Sequence, residues 1–262
     1  MSDHVLSEIG GLGLFEGTQK VPIKPITLIF GPNGGGKTSL INSFISAQPE
    51  YHIPHLRPSR SMNSVIQRRL VYDYEYSFKD FNLYLNLLEI PYELVYDYES
   101  PFRDKRTGTK TRHQDMGTGI SQLLPVITSA CTSQDQIVVI EHPEANLHPV
   151  FQVGLGDMFM ESALGERGNT FILETHSEHL ILRLLRRIRE TTATRNGDKQ
   201  IDNTVEELPP GLLPITPDDI AVIYANSGAK GTKLTSLRVT EDGSFVGKWP
   251  HGFFTERGRE LF

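Results

Sequence analysis

The chain has one cysteine, one tryptophan and no excess of positive charge. A lone thiol, Cys131, closes no internal disulfide and supplies no cysteine framework for zinc or an iron–sulfur cluster. Lys and Arg total 26 against 32 Asp and Glu, a net charge of -6. That balance argues against coating nucleic acid by bulk charge and leaves only local basic patches. No apolar run approaches the roughly 20 residues that cross a bilayer; the run at 137–140 is among the longest. The opening MSDHVLSEIG lacks the basic-then-apolar order of a secretory signal. These absences predict a soluble protein of a reducing compartment, in the cytoplasm, with no membrane partner. What remains is ordinary globular composition, 38% hydrophobic and 22% charged over 262 residues, enough for one large α/β domain.

Apolar patterning orders the chain. Residues 4–30 read as short strands, of which 21–30 (VPIKPITLIF) is a buried parallel strand ending at a Gly-Pro break. Helical spacing follows over 38–46. Residues 136–140 and 170–174 read as further buried strands. Residues 119–130 read as a helix despite Pro125, 150–163 as an amphipathic helix, and 178–191 as a strongly periodic one. The alternation over 71–81 predicts a strand, 103–115 an exposed loop and 192–217 a loop or linker. Residues 220–224, 233–239 and 244–249 predict a closing meander, with Asp242-Gly243 as a hairpin turn. One α/β domain over residues 1–262 accounts for the whole pattern. Its compact insertion is 48–115, and 218–262 form its β meander and tail.

The break after Phe30 carries the most specific signal. Gly31-Pro32-Asn33-Gly34-Gly35-Gly36-Lys37-Thr38 fits G-x-x-x-x-G-K-[ST] in full, with Ser39 next. Glycines let backbone amides approach phosphate oxygens without Cβ clashes, and the following helix aims its positive end at the same anion. Lys37 offers an ammonium to the β and γ phosphates and Thr38 a hydroxyl to Mg²⁺. The expected strand-before, helix-after context is present.

Two strand ends complete a candidate site. The run 137–140 ends in Glu141, a carboxylate placed 104 residues after Lys37 where it can reach Mg²⁺ directly or through water. The run 170–174 leads into Thr175-His176-Ser177, at the carboxyl edge where such sheets place ligands. His176 can bond a γ phosphate or an attacking water; alternatively it sits beside a helix cap formed by Thr175 or Ser177.

FGPNGGGKTSL, GTGISQLLPVI, VVIEHPEANLHP and LETHSEHLI, in this order, resemble the ABC-type ATPase heads of the overcoming-lysogenisation-defect group. The chain is most similar to small AAA-type ATPases whose C-terminal domain of unknown function ends in a GFF motif, here within Trp249-Pro250-His251-Gly252-Phe253-Phe254. The stretch 48–112 matches that pattern least. The resemblance implies a P-loop NTPase head with a mixed sheet flanked by helices and an antiparallel β subdomain. It implies ATP held by Gly31 to Ser39, with Thr38 and Glu141 holding Mg²⁺. His176 would be the switch histidine. Gly117, Gly119, Ser121 and Gln122 would belong to a signature segment donated across a homodimer to the partner's ATP. It also implies a protein partner, an effector such as a nuclease, as in anti-phage defence. Two departures matter. His142 stands where such heads carry a catalytic Glu, leaving Glu144 or His142 to orient water, or hydrolysis slow. Gly117 stands where the signature serine is usual.

Competing readings are weaker. His142, His148, His176 and His179 show no H-E-x-x-H pattern. No Asn-Lys-x-Asp guanine-reading motif is present, which favours ATP. A small-molecule kinase would need an acceptor pocket and lid that the sequence does not signal. Three basic clusters stand out: Arg57, Arg60, Arg68 and Arg69; Arg103, Lys105, Arg106, Lys110 and Arg112; Arg183, Arg186, Arg187 and Arg189. They read as solvated faces or as contacts to a nucleic-acid backbone, and the last set is expected mostly on the solvent side of its helix.

Overall fold

The structure, a computed structural model, describes residues 4–9, 15–47, 54–57, 74–95, 97, 99–197, 208–209 and 211–247. Eleven strands and five α-helices are described. The strands are β1 (His4–Ile9), β2 (Gln19–Ile23), β3 (Ile26–Phe30), β4 (His55–Leu56), β5 (Tyr92–Leu94), β6 (Phe102–Asp104), β7 (Lys110–Thr111), β8 (Ile137–Glu141), β9 (Thr170–Glu174), β10 (Ile220–Gly228) and β11 (Gly231–Leu237). The helices are α1 (Lys37–Ser46), α2 (Tyr74–Leu87), α3 (Thr118–Thr132), α4 (Pro149–Leu164) and α5 (Glu178–Asn196). A six-stranded sheet in the order β11-β10-β3-β9-β8-β4 forms the centre, parallel except for β11. Separate antiparallel sheets are β1-β2 and β5-β6-β7. The fold is α/β, with a mixed sheet flanked by helices. No described helix is long and apolar enough to cross a membrane.

Both faces of the central sheet are covered, so its strands are apolar at consecutive positions, and the two-residue period of a strand sorts them. Ile26, Leu28, Phe30, Val138, Ile140, Phe171 and Leu173 join the larger core, which also holds the buried faces of α2, α3, α4 and α5. Ile29, Val139 and Ile172 point the other way, to Leu40, Ile41 and Phe44 of α1. By the same alternation Glu141 and Glu174, the last residues of β8 and β9, fall on the α1 face.

Several expectations need correction. The strand expected over 21–30 is two strands broken at Lys24-Pro25, with β2 paired to β1 outside the main sheet. Of the strand expected over 71–81, the described residues, 74–81, belong instead to α2. The positions that pack are Phe81, Tyr84, Leu85 and Leu88, three and four residues apart, and this helical period overrides the shorter tyrosine alternation. The helix expected over 150–163 forms as α4 but is not amphipathic: it is buried continuously from Gly154 to Met160, enclosed on all sides. The expected loop at 103–115 holds β6, β7 and a 3₁₀ turn, His113–Asp115. The expected loop at 192–217 begins as helix, since α5 runs on to Asn196 and stops at the left-handed Gly197. Beyond β11 the expected third strand shows among the described residues only a bridge between Val239 and Phe245, across the turn at Asp242-Gly243. The Trp249-to-Phe254 motif lies outside the described residues, as do Arg60, Arg68 and Arg69.

Candidate functional site

β3 ends at Phe30, and the chain turns through Gly31 to Gly36 into α1. Gly31 sits at φ 145, and a Cβ there would lie 2.1 Å from the Ala225 carbonyl oxygen. Only glycine lets the loop start this close to β10. Gly36, left-handed at φ 86, caps α1. The Gly35 amide donates to Pro32 O at 3.0 Å, and the Ser227 hydroxyl donates to Gly34 O at 2.9 Å. The β10–β11 hairpin thus braces the loop from the side. Lys37, 4% exposed, donates to the carbonyls of Gly31 at 3.1 Å and Pro32 at 3.0 Å. Burial pushes its pKa down, while Glu174 and Glu144 push it up.

β9 lies between β3 and β8, and its last carboxylate meets the phosphate-loop helix. Thr38 donates its hydroxyl to Glu174 Oε2 at 3.0 Å and to Oε1 at 3.3 Å. Lys37 Nζ is 3.9 Å from Glu174 Oε1. Glu141 stands in register with Glu174 but one strand farther from β3. Its Oε1 lies 2.7 Å from His55 Nε2 and 2.8 Å from an Arg57 guanidinium nitrogen, both on or beside the edge strand β4. The Thr38 hydroxyl thus faces Glu174, a residue to which sequence reasoning assigned no role, while Glu141, expected with Thr38 at the metal, stands at the same sheet edge one strand away. The available signal was the one used for Glu141, an acid closing a buried strand; what was missing was that β9, not β8, neighbours β3.

After Glu141 the chain turns sharply. His142 adopts φ 51, uncommon for a residue with a Cβ, and its amide donates to Glu174 O at 2.7 Å. Its ring stacks on His176 at 5.2 Å between centroids and 6° between planes. His142 Nδ1 is 3.8 Å from Glu144 Oε1, and Nε2 is 3.6 Å from Glu174 Oε1. Glu144 raises the His142 pKa, against the opposing effect of burial. His176 is lowered by burial and by the charges of Lys37 and His142. Glu144 is itself engaged: Oε2 accepts the Thr175 hydroxyl at 2.8 Å and Oε1 accepts the His176 amide at 2.7 Å. Ser177 caps α5 by accepting the Leu180 amide at 3.1 Å, as the capping reading of this segment expects. Lys37, Glu141, His142, Glu144 and His176 are thus gathered by the carboxyl ends of β3, β8 and β9.

The segment at 117–122 opens α3. Gly119 packs so that a Cβ would fall 2.3 Å from Asn146 O, and the Asn146 amide donates to Gln122 Oε1 at 2.8 Å. These contacts join it to the loop after Glu141. Ser121 donates to His113 O at 2.6 Å, while Gly117 is exposed.

The basic clusters are heavily paired. Arg103 bonds Glu93, Arg106 bonds Asp104, Lys110 bonds Asp97 and Arg112 bonds Asp115. On α5 the expected solvated face holds for Arg186, which is exposed, and is corrected for Arg187. Arg187 is 4% exposed and bonds Asp157 at 2.8 and 2.9 Å and Glu190 at 2.5 Å. Arg183 is 3.7 Å from Asp157. These arginines join α5 to the enclosed helix α4, which lies on the side where solvent was expected.

The donor set suits magnesium and a phosphate tail. A hydroxyl and a carboxylate offer hard oxygens, and such sites complete the shell with phosphate oxygens and water. Glu174 is 2% exposed, and among the described residues its carboxylate accepts hydrogen bonds from the Thr38 hydroxyl, with the buried Lys37 ammonium 3.9 Å away. These oxygens fit a divalent cation beside the phosphate tail.

Residues 48–181 match the model of the AAA ATPase domain family. The match starts at 48, so the middle stretch expected to resemble such proteins least lies inside it. None of the curated protein sequences matches the chain. Among solved structures, the chain is similar to an SMC head bound to the C-winged helix domain of ScpA, with 11% identity, TM-score 0.53, 88% of this chain covered and 97% of that one. It is similar also to the SMC head domain from Thermotoga maritima, with 11% identity, TM-score 0.53 and coverage of 91% and 100%. At this identity the likeness is one of fold.

Proposed function

Because the chain belongs to the AAA ATPase domain family, we propose that it binds ATP with Mg²⁺ at the loop formed by Gly31, Pro32, Asn33, Gly34, Gly35, Gly36, Lys37, Thr38 and Ser39, and hydrolyses it slowly. The observation that carries this reading is local. Lys37 and Thr38 begin α1 directly after a left-handed glycine, beside a buried carboxylate of the neighbouring strand. Lys37 moves its ammonium from the loop carbonyls to the phosphates, and the amides at the start of α1 receive the β phosphate. Thr38 and Glu141 would hold Mg²⁺, which when bound would supply positive charge against the phosphates. His176 and His142, stacked at the same edge, face the γ phosphate. Two copies pair head to head, each presenting Gly117, Gly119, Ser121 and Gln122 to the other's nucleotide, and the pair controls a partner effector.

Replacing Lys37 with Ala tests this. The variant is expected to lose nucleotide binding by calorimetry, and with it ATP-dependent dimerisation by light scattering. Wild-type turnover in Lys37→Ala would refute the reading.

One observation favours a second version, a nucleotide-gated switch with little hydrolysis. Both oxygens of Glu144 are occupied by Thr175 and His176, so this carboxylate is poorly placed to activate water. A single-turnover rate equal to that of Glu141→Gln would establish the switch; a rate well above it would establish the hydrolase.

A further inference from the structure

We propose that Ser227 and Thr232, which face each other across the β10–β11 hairpin, are positioning residues for the phosphate loop, a reading that rests on the nucleotide site proposed above. The weak point of the loop is one peptide bond. Gly34 and Gly35 flank it, so no side chain resists its rotation. In the structure both of its polar groups are committed. The Gly35 amide donates to Pro32 O at 3.0 Å, and Gly34 O accepts the Ser227 hydroxyl at 2.9 Å. Rotation of this peptide would break both bonds and free the Gly34 carbonyl to turn toward a bound anion, which it would repel.

The hairpin holds that oxygen through a relay. Ser227 and Thr232 are direct partners in the antiparallel register, and their hydroxyl oxygens lie 3.0 Å apart. Ser227 has one proton and gives it to Gly34 O, so Thr232 is the donor between the two hydroxyls. Thr232 is itself buried and anchored. Its carbonyl accepts the Gln19 side-chain amide at 2.8 Å and the Glu16 backbone amide at 3.0 Å, both at the entry to β2. The loop is fitted to this relay, since a Cβ on Gly36 would lie 2.2 Å from the Thr232 hydroxyl oxygen. Neither hydroxyl needs to touch the nucleotide. Holding the Gly34–Gly35 peptide in place removes loop shapes that phosphate binding would otherwise have to select against.

The experiment uses the full chain, Ser227→Ala, Ser227→Thr, Thr232→Val and the double variant of Ser227→Ala with Thr232→Val. It measures binding of a fluorescent ATP analogue with excess Mg²⁺, the nucleotide-free melting temperature, and hydrogen exchange over residues 31–36. Ser227→Ala is expected to weaken nucleotide binding about 3- to 10-fold, the worth of one neutral hydrogen bond. It should speed exchange over 31–36 and leave the nucleotide-free melting temperature as in the wild type, since Ser227 is exposed. Ser227→Thr keeps the hydroxyl and is expected to bind as the wild type does. Thr232→Val is expected to weaken binding less than Ser227→Ala, because Ser227 keeps its proton on Gly34. The two hydroxyls act in series, so the double variant should bind no more weakly than Ser227→Ala. Wild-type affinity in Ser227→Ala, or a loss that appears instead as a lower nucleotide-free melting temperature, overturns the assignment while leaving the nucleotide site intact. A double variant whose losses add overturns the relay. A wild type that binds no nucleotide overturns both readings. Should Thr232→Val not fold, Ser227→Ala and Ser227→Thr decide the matter alone.

Discussion

Exchanging Glu144 for Gln removes one charge and keeps the side-chain shape. In the wild type Oε1 accepts the His176 amide at 2.7 Å and Oε2 the Thr175 hydroxyl at 2.8 Å. The Thr175 oxygen in turn accepts the Ser177 amide at 2.9 Å, so its proton is directed at Glu144. A glutamine offers one oxygen and one NH₂, and satisfies the amide or the hydroxyl proton but not both. With the site 9% exposed, water does not make up the difference. Losing one hydrogen bond to a buried charged acceptor costs about 2 kcal/mol, or roughly 4–8 °C in melting temperature for a chain of this size. Burial alone would raise the Glu144 carboxyl, but the His142 side chain, the His176 amide and the Thr175 hydroxyl outweigh it and hold the carboxyl below its usual range. A carboxyl lowered in the folded state stabilises fully above the unfolded pKa of about 4.3, and that stabilisation is lost as pH falls through the folded value. The margin of wild type over Glu144→Gln is therefore full at about pH 7 and shrinks below about pH 4. Denaturant unfolding of both proteins across this range measures it. Equal midpoints at neutral pH, or a margin that stays constant into acid, would refute the reasoning. Nucleotide affinity in chelator is expected to change little, because Glu144 acts on the backbone that carries His176.

Other perturbations probe separate parts of the structure. Arg187→Leu takes the closest partner from buried Asp157 and leaves Glu190 with Arg186 at 2.6 Å, and is expected to cost about 3 kcal/mol, less if Arg183 takes over part of Asp157; an unchanged unfolding midpoint would show that the pairing contributes nothing. Gly31→Ala forces a Cβ against the Ala225 carbonyl at a backbone angle that alanine disfavours. It is expected to lose about 3 kcal/mol and to weaken nucleotide binding, since β10 must shift. Wild-type stability and affinity in that variant would show that the loop is not seated on β10. Raising salt is expected to change the melting temperature little through the pairs at Arg103, Arg106, Lys110 and Arg112, because solvent screens exposed pairs and leaves each a small contribution; a steep fall in thermal melting temperature with salt would contradict this.

The glycine loop, the helix after it and the strands closed by Glu141 and Glu174 were legible in the sequence because each is local. A buried strand is a short apolar run, and a phosphate loop is set by which residues tolerate its backbone angles. Helix α2 was misread because tyrosine alternation and helical period coexist there, and packing of Phe81, Tyr84 and Leu88 decided between them. The same limit hid the arginines of α5, since nothing in 178–191 says that α4 lies against them. Glu174 shows the boundary most clearly. That an acid ends each of two strands is written in the chain; which of them meets Thr38 depends on strand order, and only the assembled sheet sets β9 beside β3.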